Sequence, residues 1–272
     1  MRHPASSTAE PASAPPPSTI AVHREDVIDL VARAVARDRF PWLGFSDPAA
    51  EVMVEALDVD VTADEHVLRR SLVTTILVDS IVRDFFGRHP DGLALAVWGG
   101  LCTRFWRIDN GRLRWIDVDA PAIAQFKAPL QPSCERHVVA SSCSFECQGW
   151  LACLREARDV PTMIVAQGLR RRVGPTELDR FFVGAAEHLA RGVEIVIDYD
   201  ASAPLRPASL RSGGACLELP LPDGSVARYP RHRFVDDRTY PAELAHALSG
   251  LNGISRLFRG RGMPSLAHLH LA

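Results

Sequence analysis

LALAVWGGLCTRFWRIDNGRLRWIDVDAPAIAQFK, residues 93–127, decides the fold. It opens on Leu93–Trp98, a continuous apolar run, as a strand covered on both faces requires. Gly99 and Gly100 break that run. RLRWIDVD (112–119) then reads as a second strand, and APAIAQFKAPL (120–130) as a short helix.

The alternation continues downstream. RHVVAS (136–141), PTMIVAQ (161–167) and GVEIVIDYD (192–200) read as further strands. QGWLACLREA (148–157) and PTELDRFFVGAAEHLA (175–190), with Thr176 near its start, read as helices. Strands alternating with helices imply a mostly parallel sheet, right-handed crossovers and helices on both faces. The end differs. GACLELPLPDGSVARYP (214–230) reads as a hairpin turning at Asp223-Gly224, and AHLHLA (267–272) as a last, antiparallel strand. Upstream, EDVIDLVARAVARDRF (25–40) places Val27, Leu30, Val31, Ala34 and Val35 on one helical face. DPAAEVMVEAL (47–57) starts with Asp47 as N-cap beside Pro48. TADEHVLRRSLVTTILVDSIVRDFFGRHP (62–90) is a long helix with a stop signal. The expected organisation is a flexible Pro/Ala/Ser-rich tail over 1–22 and one domain over 23–272. In that domain, 23–90 forms a helical cap or lid and 91–272 the sheet core.

The 272 residues, 47% hydrophobic, suffice for one large core. A formal net charge of −2 gives no general attraction to nucleic acid or anionic membranes, and no apolar run spans a bilayer. The tail lacks the apolar centre of a secretory signal, so a cytoplasmic location is expected. Cys102, Cys134, Cys143, Cys147, Cys153 and Cys216 form no C-x-x-C pair and fit no common zinc spacing. They read as reduced, packed cysteines with no metal. His268 and His270 alternate as on one strand face, and His137 and His232 read as structural.

In open parallel sheets ligands bind beyond the carboxyl ends of the strands, here after Trp98, Val118, Ser141 and Gln167. VWGGLCTRFWRIDNGRLRWIDVDAPAIAQFK (97–127) resembles the glycine-loop region of the leucine carboxyl methyltransferase family, in its polyketide O-methyltransferase branch. The resemblance covers about residues 45–200, more weakly the C-terminus. It rests on Thr103-Arg104-Phe105-Trp106-Arg107 and its spacing to Asp117 and Asp119. It implies a class I methyltransferase-like, Rossmann-like α/β fold. It also implies S-adenosylmethionine held by the glycine loop (Gly99, Gly100), by Asp119 at the ribose, by an Arg on the long helix and by a Glu-Gly-Leu segment after the fourth strand.

Several of those positions depart from the pattern. Trp98 stands at the first loop glycine, Cys102 at a common Asp, Thr74 at the clamp Arg, with Thr75 and Asp79 kept. Gln167 stands at the Glu, followed by Arg170-Arg171-Arg172. Losing the clamp forfeits a charge-assisted pair worth about 1.5–3 kcal/mol. The sequence therefore points to a biosynthetic protein without cofactor that promotes cyclisation, displacement or elimination of a small metabolite. One alternative is an S-adenosylmethionine-dependent O-methyltransferase. Another is a non-catalytic subunit whose tail wraps a partner. The candidate catalytic residues are Asp119, Asp117 and Gln167. Substrate candidates are Arg170, Arg171 and Arg172, facing an anionic group, with Arg104, Trp98 and Thr74. Trp98 is expected to fill cofactor volume near Asp119 or Gln167. Arg104 and Arg107 are expected to stack on Trp106 and pair with Asp109, and Asp198 to cap its strand. A protein partner or a homodimer stays open.

Overall fold

Every residue of strand β1, Leu93–Val97, is buried, as the apolar run requires. Its side chains alternate in size. Leu93, Leu95 and Val97 face one helical layer, while Ala94 and Ala96 face the other. The small face admits a long helix at close range, and the large face packs against aromatic side chains. The computed structural model describes residues 22–57, 63–131, 134–189, 193–200, 216–220, 226–239 and 264–271.

The cap is α1 (Arg24–Ala34), α2 (Ala36–Arg39), α3 (Pro48–Leu57) and α4 (Glu65–Arg88). The core follows as β1, α5 (Arg104–Ile108), β2 (Arg114–Asp119), α6 (Pro121–Lys127), β3 (His137–Ser141), α7 (Gln148–Glu156), β4 (Thr162–Ala166), α8 (Leu169–Arg172), α9 (Pro175–His188) and β5 (Glu194–Asp200). It closes with β6 (Cys216–Pro220), β7 (Val226–Thr239) and β8 (Pro264–Leu271). The described strands form one sheet in the order β3-β2-β1-β4-β5-β8-β7-β6. The run from β3 to β5 is parallel, and β8, β7 and β6 are antiparallel additions. This is the class I methyltransferase-like sheet that was expected, with the order reversing between β1 and β4. The hairpin and the antiparallel last strand are present too. The Asp223-Gly224 turn and residues 1–21 of the tail lie outside the described residues.

Helix α4 lies on the alanine face, burying Leu77, Val78, Ile81, Val82, Phe85 and Phe86. Helices α7 and α9 cover the other face through Trp150, Leu154, Phe181 and Phe182. Asp47 caps α3 as expected, its Oδ1 accepting the Ala50 N–H at 3.1 Å.

Three local expectations are corrected. The 25–40 helix breaks at Val35 (φ −86°, ψ 1°), which turns Ala36 and Phe40 into the core at 0% exposure. The short helices α5 and α8 were not foreseen, because four or five residues carry no readable period. Cys143 and Cys147, read as reduced, form a disulfide with Cα atoms 6.2 Å apart, since the β3–α7 connection doubles back. Cys102, Cys134 and Cys153 are free. No helix among the described residues is long and apolar enough to cross a membrane.

Phe85 is fully buried between α4 and the sheet. Phe85→Ala is expected to lower the unfolding free energy by about 3–5 kcal/mol, read as the urea midpoint at unchanged slope.

Candidate functional site

At the end of β1 the chain must turn sharply. Trp98 does so at φ 49°, alone in positive φ among the described non-glycine residues, and its N–H donates to Val118 O at 2.7 Å. A glycine would adopt this conformation without strain. The indole, expected to fill cofactor volume near Asp119 or Gln167, instead packs into the α7/α9 layer, its ring 4.3 Å from Phe145. Next, Gly100 sits at φ 58°, its N–H donating to Asp119 Oδ1 at 2.9 Å. A Cβ at Gly100 would meet the Asp26 carboxyl at 2.6–2.8 Å, so what approaches this glycine is a side chain of α1.

Asp26 is 2% exposed and is held by Arg172 of α8, whose Nε donates to Asp26 Oδ1 at 2.8 Å. Arg172 Nη1 also donates to Gln167 O at 3.0 Å. Burial disfavours the Arg172 cation, yet Asp26 and its neighbours hold its pKa above the usual value. One turn on, Arg171 Nη2 donates to Asp29 Oδ2 at 3.1 Å. Helices α1 and α8 are thus latched across the mouth of the glycine loop. The space left beneath is about 20 Å³, lined by Ala96, Gly99, Cys102, Arg104, Val165 and Gln167 among others. That holds about one water molecule.

The two acids of β2 are equally engaged. Lys127 of α6 is 0% exposed and reaches Asp117 Oδ2 at 2.8 Å and Asp119 Oδ2 at 3.1 Å. Asp117 also accepts from Trp115 Nε1 at 2.9 Å and meets His137 Nε2 at 2.9 Å. Burial alone would raise the Asp117 pKa, but Lys127 and His137 overcome it and hold it at about 2. For Asp119, burial and the Asp117 charge outweigh Lys127, and its pKa is raised. The shared ammonium is held charged by both carboxylates against its own burial.

Arg104 and Arg107 do not pair with Asp109, which is taken by Arg136. Arg104 Nε donates to Asp79 Oδ1 at 2.6 Å and Arg107 Nε to Asp79 Oδ2 at 2.8 Å. Arg107 also binds Asp47, which Arg33 reaches at 3.2 Å. The correction follows from burial: both arginines face the core, while Asp109 lies at the rim of the sheet's opposite edge. Arg104 Nη2 donates to Gln167 Oε1, and Gln167 Nε2 donates to Thr75 Oγ1 at 3.4 Å. Gln167 is therefore fixed in orientation. Asp198 accepts the Gly168 N–H rather than capping its own strand.

Beside the latch lies an open cavity of about 470 Å³, within the usual range for small-molecule sites. Helix α1 contributes Glu25, Ile28 and Asp29 to it, and α4 contributes His66, Val67, Arg70, Ser71 and Thr74. The far wall is Gln167, Arg170, Arg171 and Asp198. The structure thus gathers Thr74, Gln167, Arg170 and Arg171 around one space. Trp98, Asp117, Asp119 and Arg172 do not line it. Sequence reasoning missed Asp26, Asp29, Arg70 and Lys127. The i, i+3, i+7 spacing of Asp26, Asp29 and Arg33 on α1 was the signal for the first two. Lys127, eight residues past Asp119, carried none. His268 Nε2 meets Glu194 Oε2 at 2.8 Å, and no group of three or more His, Cys, Asp or Glu that could hold a metal occurs among the described residues.

No family model matches the chain. It is 27% identical over 226 residues to the tetracenomycin polyketide synthesis O-methyltransferase TcmP of Streptomyces glaucescens, covering 78% of this chain and 81% of that protein. The chain is built on a methyltransferase-like scaffold related to that polyketide O-methyltransferase. Similar solved structures include the N-methyltransferase NodS from Bradyrhizobium japonicum WM9, at 11% identity, TM-score 0.43, 73% of this chain and 96% of that one. Another is a putative methyltransferase from Thermobifida fusca YX, at 13% identity, TM-score 0.46, 89% of this chain and 94% of that one.

Two measurements check these contacts. Lys127→Met leaves two buried carboxylates facing each other and is expected to cost about 3–5 kcal/mol, read by thermal or urea unfolding. Burial would raise the Asp79 pKa, but Arg107 and Arg104 depress it to about 2. A depressed folded pKa stabilises above the unfolded value near 3.9. About 2 kcal/mol of stability is therefore lost as pH falls from about 4 to 2, and Asp79→Asn is expected to flatten that limb of the profile.

Proposed function

We propose that this chain does not use S-adenosylmethionine and handles a small secondary metabolite by non-methylating chemistry, in the cavity between α1, α4 and α8. The reading is carried by the Asp26–Arg172 ion pair seated on Gly100. In support, the glycine loop opens on about 20 Å³, and both Asp119 oxygens accept bonds within the protein, from Gly100 N–H and Lys127. Thr74 offers no cation for a methionine carboxylate, its hydroxyl donating to Arg70 O at 3.0 Å.

What remains is a cavity with a fixed amide, Gln167, between opposed charges. Such a site can bind a metabolite in one pose, and pose is most of what an intramolecular cyclisation, displacement or elimination requires. Gln167 donates to or accepts from the substrate, while Asp117 and Asp119 serve the fold. A second reading, an S-adenosylmethionine-dependent O-methyltransferase, is favoured by the identity to TcmP and by the Gly100–Asp119 contact. It requires α1 to move off the loop.

Titration calorimetry separates the two. Wild-type protein is expected to give no saturable heat with S-adenosylmethionine up to about 1 mM, a free energy weaker than about 4 kcal/mol. A dissociation constant near or below about 10 µM, or S-adenosylhomocysteine carried through purification, would overturn this reading in favour of the second.

A further inference from the structure

We infer that Cys143 and Cys147 form a thiol–disulfide exchange site, open to a low-molecular-weight thiol/disulfide couple, whose oxidised state restrains the glycine loop. The bridge spans a sequence separation of 4, and a cross-link that closes so short a loop stabilises a fold little. Other contacts already shape the turn. Ser142 Oγ donates to Ser144 O at 2.8 Å and accepts the Trp150 N–H at 3.2 Å. The Phe145 N–H donates to Glu177 Oε2 at 3.1 Å. These bonds let the reduced chain keep the same fold, while the cross-link removes the freedom the turn still has. A bridge the fold does not need points to exchange rather than to stability.

The two sulfurs differ as an attacked and a leaving sulfur should. Cys143 is exposed and Cys147 half-buried, so an incoming thiolate reaches Cys143 Sγ. Cys147 is the N-cap of α7, where the helix dipole favours a developing thiolate. The Ser144 hydroxyl donates to its Sγ at 3.4 Å, and the charge of neighbouring Glu146 is matched by Arg180 at 3.2 Å. Attack joins the incoming sulfur to Cys143 Sγ, breaks the Cys143–Cys147 bond and leaves its electron pair on Cys147 Sγ. A second small thiolate then attacks the first, leaves with it as a disulfide and releases Cys143 as a thiolate. The protein gains the electron pair that the couple loses, and oxidation runs the same steps backwards. Phe145 carries the state of the bridge to the crevice. It lies between the two cysteines in sequence, is 1% exposed, and its ring packs 4.3 Å from Trp98, the residue that starts the turn into Gly99 and Gly100.

Full-length protein equilibrated across a glutathione series, from fully reduced to fully oxidised, tests this by acid quench, alkylation of free thiols and peptide mass. Cys143 and Cys147 are expected to become alkylatable together within the series. The double variant Cys143→Ser, Cys147→Ser is expected to keep the wild-type circular dichroism. In hydrogen exchange, reducing the wild type is expected to speed the amides of residues 98–101 by about threefold or more, with β4 unchanged. The double variant is expected to show the faster rate in every buffer. A pair that stays oxidised in excess reduced glutathione, or never forms in the oxidised buffer, overturns the proposal. So does equal exchange over 98–101 in the two redox states, or a redox response of that loop that persists in the double variant. None of these measurements depends on whether the crevice binds S-adenosylmethionine, so this inference and the cofactor-free reading fail separately.

Discussion

A chain of buried carboxylates and guanidiniums crosses the carboxyl edge of the sheet, and the placing of the candidate site residues depends on it. Arg33, Asp47, Arg107, Asp79, Arg104 and Gln167 follow one another through direct contacts. They come from α1, the cap of α3, α5, α4 and the turn after β4. Ions this deeply buried forfeit hydration, and only complete partnering offsets the cost. Removing one member would strand its neighbours, so the network tolerates few arrangements of the helices that carry it. Its contribution is geometric: it fixes where the cap rests on the sheet.

Because Arg33 anchors α1 to Asp47 and to Leu101 O at 2.6 Å, the face that carries Arg33 must also present Asp29 and Asp26 to the crevice. Helical spacing leaves no choice in this. Two acids directed at a closed crevice need cations, and Arg171 and Arg172 supply them. The sequence departures then read as one electrostatic set. An Arg at position 74 would add a further cation to a wall that already holds Arg70, Arg170 and Arg171, a like-charge crowding that costs energy in a partly dry space. Thr74 avoids it. A Glu at position 167 would give Arg104 a second carboxylate beside Asp79. Gln167 satisfies the same N–H without another buried charge.

The sheet was legible because buried strands write themselves as apolar runs. Leu93–Val97 and Thr162–Ala166 are buried at every position and were read as such. The cap helices were legible by period. The site was legible only in part. Thr74, Gln167, Arg170 and Arg171 were named and do share a cavity, since each sits at the carboxyl edge of the sheet or on the helix above it. What failed was pairing. Asp109 lies two residues beyond Arg107 and looked like its partner, yet the partner carboxylates come from 28 and 60 positions away. Tertiary contacts of this kind leave no local pattern. The α1 acids escaped for a related reason, because polar residues on a helix read as its solvated side until the opposing surface is known.

Asp119 shows how a motif residue can serve the fold itself. By resemblance it stands where an acid meets a ribose. Here its Oδ1 ties the glycine loop to β2 through Gly100 N–H, and its Oδ2 receives a lysine that also serves Asp117. Both bonds are buried, and both contribute whether or not a nucleoside ever arrives. A chain could therefore shed the ligand and still require the acid, because without it Lys127 would lose one of its two carboxylates and the loop its tether. The glycine is bound by the same logic: Gly100 must remain side-chain-free for Asp26 to close over it. Asp119 and Gly100 are thus held in place by the fold's own contacts, whatever the crevice binds, as is Gln167 through Arg104 and Thr75.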